Sequence, residues 1–86
     1  MSRNELAVFL KEHLVPAKLY SLNGNHTNRI CLEKSKQGWE VYFSDQKQKI
    51  GLLKFSSESD ACARMKTEIL KIMQSLYGLS WANMPV

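Results

Sequence analysis

An 86-residue chain with 44% hydrophobic and 23% charged residues reads as one small globular domain, near the lower size limit for a self-sufficient core. Twelve Lys or Arg against eight Asp or Glu leave a net charge of +4, enough to favour anionic partners at long range but short of a nucleic-acid signature. No apolar run approaches the roughly 18–20 residues that cross a bilayer.

The N-terminal apolar positions are interrupted by Lys11, Glu12 and His13 with no small-residue cleavage site after them, so a signal peptide is not expected. The expected location is the cytoplasm of the cell that makes the protein. Two cysteines, Cys31 and Cys62, suit that compartment as free thiols. Asn25, His26 and Thr27 match a glycosylation acceptor, which has no meaning without secretion.

Ser2 followed three residues later by Glu5 is a capping box. Leu6, Phe9, Leu10, His13 and Leu14 then fall on one stripe, and Pro16 ends the pattern, so a helix is predicted over 3–14. Residues 18–22 read as a short strand, and the Asn- and Gly-rich run 23–28 as a turn. Residues 29–33 form a second strand, with Ile30 and Leu32 on one side and Arg29, Cys31 and Glu33 on the other.

The clearest strand pattern lies in residues 38–55, GWEVYFSDQKQKIGLLKF. Trp39, Val41 and Phe43 alternate with Glu40 and Tyr42, which predicts an inner face under the helices and an outer face open to a partner. A polar run at 44–49 then reads as a hairpin loop before the apolar segment 50–55. In the last helix Cys62, Met65, Ile69, Ile72, Met73 and Leu76 repeat at three- and four-residue spacing, after a Ser- and acid-rich start and before a stop at Gly78. The end of the chain, 79–86, carries Leu79, Trp81, Met84 and Val86. It is too apolar for a solvated terminus and is expected to fold back or meet a partner; dimerisation through it stays open.

This order predicts an α+β domain spanning residues 1–86. An antiparallel sheet of three or four strands carries the N-terminal and C-terminal helices on one face, followed by the apolar tail.

The pattern offers no catalytic set. His13 and His26 lie in different elements, and His13 fits a core position. The cysteines have no paired spacing for zinc and no base within reach of the pattern, so neither enzyme activity nor a metal or other cofactor is expected. Cys62 reads as a core residue and Cys31 as a partly exposed thiol. Glu33 and Glu40 are expected to face each other across the hairpin.

The element order also matches a small double-stranded-RNA-binding domain, the alternative reading. Glu58 and Asp60 at the start of the last helix, and lysines split between the loops of 34–36 and 47–49, disfavour nucleic acid.

The segment WEVYFSDQKQKIGLLKFSSESDAC at 39–62, with PAKLYSL at 16–22 and ICLE at 30–33, resembles small bacterial immunity proteins, including partners of contact-dependent growth-inhibition and related polymorphic toxins. The shared pattern is a WEVY-type strand, a polar loop, a basic or glycine position, and a phenylalanine leading into a helix that starts Glu-x-x-Ala-Cys. It covers about residues 16–65.

The resemblance implies a cytoplasmic, non-enzymatic protein that neutralises the C-terminal domain of a cognate toxin, commonly a nuclease, by direct contact. The basic charge departs from the acidic character of many nuclease inhibitors. It implies a toxin presenting acidic groups, or binding away from the toxin's catalytic cleft. The residues expected to carry contact are Glu33, Glu40, Tyr42, Asp45 and Lys47, with Tyr42 as aromatic anchor.

Overall fold

The computed structural model describes residues 1–79. Helix α1, Arg3–Glu12, opens with the predicted capping box: the Glu5 N–H donates to Ser2 Oγ at 3.1 Å, and the Ser2 N–H to the Glu5 carboxylate at 2.9 Å. That reciprocal pair holds the Glu5 carboxyl below its usual range, the bond from the Ser2 backbone being the larger cause. The helix stops at His13, short of the expected residue 14, because Leu14 takes a left-handed conformation at φ 55°. Val15 still reaches back with its N–H to Leu10, so the chain turns before Pro16 forces it to. His13 is buried as expected, its Nδ1 donating to the Phe9 carbonyl at 2.9 Å.

A short 3-10 turn, Ala17–Leu19, and strand β1, Tyr20–Ser21, replace the single strand predicted at 18–22. Strands β2, Arg29–Ser35, β3, Gly38–Asp45, and β4, Gln48–Phe55, complete a sheet in the order β1-β2-β3-β4. The sheet is mixed, not wholly antiparallel: β1 runs parallel to β2, with Tyr20 opposite Ile30. The Arg29 guanidinium anchors this edge by donating to the Ala17 and Tyr20 carbonyls.

Both hairpins turn on two residues, which shortens the predicted polar loop of 44–49 to Gln46 and Lys47. These sit at φ 47° and 71°, a type I′ turn that suits the strand twist but costs energy for residues with a Cβ. Gly38 closes the other hairpin at φ 149°, where an added Cβ would lie 2.2 Å from the Phe55 carbonyl oxygen. In β4, Gly51 at φ 65° and Leu52 together oppose Tyr42, a bulge in the edge strand.

Helix α2, Glu58–Tyr77, starts on Ser57, whose Oγ accepts from the Asp60 N–H. It ends on left-handed Gly78, and the N–H groups of Gly78 and Leu79 return to Gln74 and Met73. Both helices cover the same sheet face. Leu6, Leu10, Ile30, Leu32, Val41, Cys62, Met65, Ile69 and Met73 form one core, each large side chain contributing about 1.5–3 kcal/mol.

Three expected core members stand outside it. Leu14 is exposed just past α1, Phe43 is 37% exposed near the end of β3, and Leu76 is exposed in the last turn of α2. Trp39 is half-buried at the core's other end. Leu79 packs against the core as the fold-back of the tail requires; the remainder of that expectation, and dimerisation through the tail, fall on 80–86, outside the described residues.

Candidate functional site

The outer sheet face was predicted to be open, but Cys31, Tyr42, Ser44 and the expected contact Glu40 are all buried on it. Residues 22–28 cross over it, shaped by Gly24, Asn25 and Asn28 at positive φ. The Asn28 N–H donates to the Ser44 carbonyl at 2.7 Å and the Cys31 thiol to the His26 carbonyl at 3.6 Å. A Cβ on Gly24 would fall within 2.9 Å of the Glu33 side chain. This cover buries Cys31 completely, correcting the expectation of a partly exposed thiol, and burial pushes the thiol pKa up, away from nucleophilic use.

Tyr42 lies under the same cover at 2% exposure, which corrects its assignment as a surface anchor. Its hydroxyl donates to Glu33 Oε1 and accepts from the Asn25 N–H at 2.9 Å. Burial first, and the bond to Glu33 second, raise the phenol pKa above its usual value. Tyr42 is the fastener that holds the loop down.

Glu33 and Glu40 do face each other across β2 and β3, as expected. Lys49 sits between them, its Nζ 2.8 Å from Glu40 Oε1, 3.8 Å from Glu33 Oε1 and 4.9 Å from the centre of the Tyr42 ring. The bond to Glu40 leads the causes that raise the Lys49 pKa. One lysine between two carboxylates offsets one of their two charges and ties both in place, which does not leave them as a free acid/base pair. Lys47 and Gln48 are exposed at the β3–β4 turn, and Asp45 has the strand phase of Val41 and Phe43, the face opposite to Glu40 and Tyr42. The structure thus brings Glu33, Glu40, Tyr42 and Lys49 together on the outer face and leaves the predicted contacts Asp45 and Lys47 outside that network.

A second cluster lies at the opposite end of the sheet. There Lys36 and Lys54 line an open groove of about 350 Å³ with Trp39, Glu40, Phe55, Gln37, Ser35 and Ser56. Arg3 and Lys34 lie over the Trp39 ring at 5.7 and 5.9 Å. The strand register assembles it: antiparallel pairing brings the end of β4 back beside the β2–β3 turn, so Lys54 joins Lys34 and Lys36. Sequence reasoning had weighed only the lysines near the loops and missed this one.

Among the described residues, no group of three or more His, Cys, Asp or Glu side chains is placed to hold a metal ion. No helix among them is long and apolar enough to cross a membrane. Comparisons with protein-family models, with curated proteins and with solved structures gave no match.

Proposed function

We propose that this protein is a non-catalytic inhibitor of the immunity type, acting in the cytoplasm and neutralising a cognate toxin domain by direct contact. The observation that supports this reading is the outer side of the β3–β4 hairpin. Glu33 and Lys49 are held on their strands, Lys49 by ion pairs to Glu33 and to the buried Glu40, and the turn that follows β3 carries Lys47 exposed. Charged groups held in place before binding lose little freedom on association, which is how a small rigid surface gains affinity and selectivity. Tyr42 serves this surface from below, by positioning the loop and Glu33, and not as a contact. Toxin domains that present both lysines and carboxylates match its mixed charge.

The duplex-RNA alternative meets Glu58 and Asp60 in the first turn of α2, where that mode of binding calls for cations. The reading is tested by co-expressing the chain with the C-terminal domain of a large secreted protein encoded beside it. A single co-eluting complex with the toxin activity lost supports it. Separate elution of two folded proteins, with activity intact, refutes it.

A further inference from the structure

We infer that the groove between the β2–β3 turn and the end of β4 binds an acidic protein segment, with its carboxylates on Lys34, Lys36 and Lys54 and an apolar neighbour against Trp39 and Phe55. This site adjoins the hairpin surface at Glu40, which lines the groove and pairs with Lys49, and it does not rest on the toxin reading.

The charge balance is the first argument. Lys54 stands opposite Glu40 in the strand register and would ordinarily pair with it. Glu40 is instead taken by Lys49 at 2.8 Å, and among the described residues no carboxylate lies within 4 Å of Lys34, Lys36 or Lys54. Three lysines are therefore left without counter-charge around one half-buried tryptophan, in a chain whose whole excess is only +4.

The shape and the aromatic ring select the class of partner. A groove of about 350 Å³ lies at the small end of ligand sites and suits one or two side chains. Trp39 and Phe55 line it together with Lys36, Lys54, Gln37, two serines and Glu40, whose carboxylate is already engaged by Lys49. Single-stranded nucleic acid would need the tryptophan ring for base stacking, but Arg3 and Lys34 already lie over it. A phosphate chain continuing past Ser56 would also meet Glu58 and Asp60. A short peptide with separate carboxylates matches compact ammonium charges and need not run past Ser56.

Trp39 is also the reporter. In a Trp81→Phe background it is the sole tryptophan, since the chain has two. The probe is a synthetic peptide of about twelve residues in which Glu and Asp alternate with Leu, compared with its Gln and Asn counterpart and with a single-stranded oligonucleotide of similar length. The inference predicts a saturable change in Trp39 fluorescence with the acidic peptide that weakens with salt. It also predicts a loss of affinity of about tenfold or more in Lys36→Gln/Lys54→Gln, with circular dichroism and Tm unchanged. Equal binding of the uncharged peptide, unchanged affinity in the double variant, no change with the acidic peptide, or tighter binding of the oligonucleotide would each overturn it. A chain that neutralises its toxin but fails this titration keeps the proposed function and loses this site.

Discussion

Replacing Tyr42 by Phe removes one oxygen from a well-packed ring and tests whether that residue fastens the fold. The hydroxyl makes two bonds, one donated to Glu33 and one accepted from the Asn25 N–H at 2.9 Å. A bond to a charged partner is worth about 1.5–3 kcal/mol and a neutral one about 0.5–1.5 kcal/mol. Glu33 is one-third exposed, so water replaces part of its loss, whereas the Asn25 N–H is left facing an apolar edge. The expected cost is about 1.5–3 kcal/mol, the upper part of the sum being discounted for that exposure. With a urea m-value of about 1 kcal/mol/M for so short a chain, the unfolding midpoint falls by about 1.5–3 M.

Urea denaturation followed by circular dichroism reads this directly, and amide exchange at Asn25 gives the local check. A midpoint shift below about 0.3 M, with Asn25 protection intact, would refute the fastening role. Tyr42→Ala is the wrong variant for mapping binding. Its cavity costs about 3–5 kcal/mol, a large share of a small domain's stability, so lost binding would report unfolding.

Gly38→Ala forces a Cβ to 2.2 Å from the Phe55 carbonyl at a φ that disfavours side chains, and should lower stability by about 2–4 kcal/mol by thermal or urea melting. The turn offers the opposite change: Gln46→Asn/Lys47→Gly relieves two positive-φ residues and should raise stability by about 0.5–1.5 kcal/mol in the same melts. If Lys47 is also a contact, that variant binds its toxin more weakly while melting higher. Alkaline pH should destabilise the chain in two stages. The Cys31 and Cys62 pKa values are raised by burial, so their contribution is complete below the unfolded thiol value of about 8.5 and is lost as pH rises through their folded values. Tyr42 and Lys49 are raised too, and add a steeper loss above about pH 10. Melting temperatures across pH 7–11 check this, and Tyr42→Phe should flatten the upper stage.

Local chemistry made much of this fold legible. The Ser2–Glu5 pair and the Ser57 and Gly78 stops set the helix ends through bonds made within a few residues, and the alternation of Trp39, Val41 and Phe43 set the phase of β3. What the pattern could not show was cover from a distance. A period of two separates the faces of a strand but does not say that residues 22–28 lie over one of them, so Cys31 and Tyr42 looked open when they were buried. Parallel β1 is two residues long and is held by a side chain, Arg29, that leaves no periodic trace.

Gly51 did carry a usable signal, since a glycine inside a strand often marks a bulge. The pairing of Glu33 with Glu40 was readable from the hairpin, whereas the lysine between them depended on where the next turn fell. Shortening the polar loop to two residues moved Lys49 from a loop onto β4 and into that pair. The same register set Lys54 opposite Glu40 and Phe55 opposite Trp39.

The central claim is that contact with this chain alone silences a toxin domain. Growth of cells producing a candidate toxin domain, with and without this chain, measures it most directly. The account predicts restored growth with the wild-type chain, and lost protection when Lys47→Glu reverses the charge on the exposed β3–β4 turn of a chain that still folds. Continued toxicity beside a folded, abundant wild-type chain would contradict it.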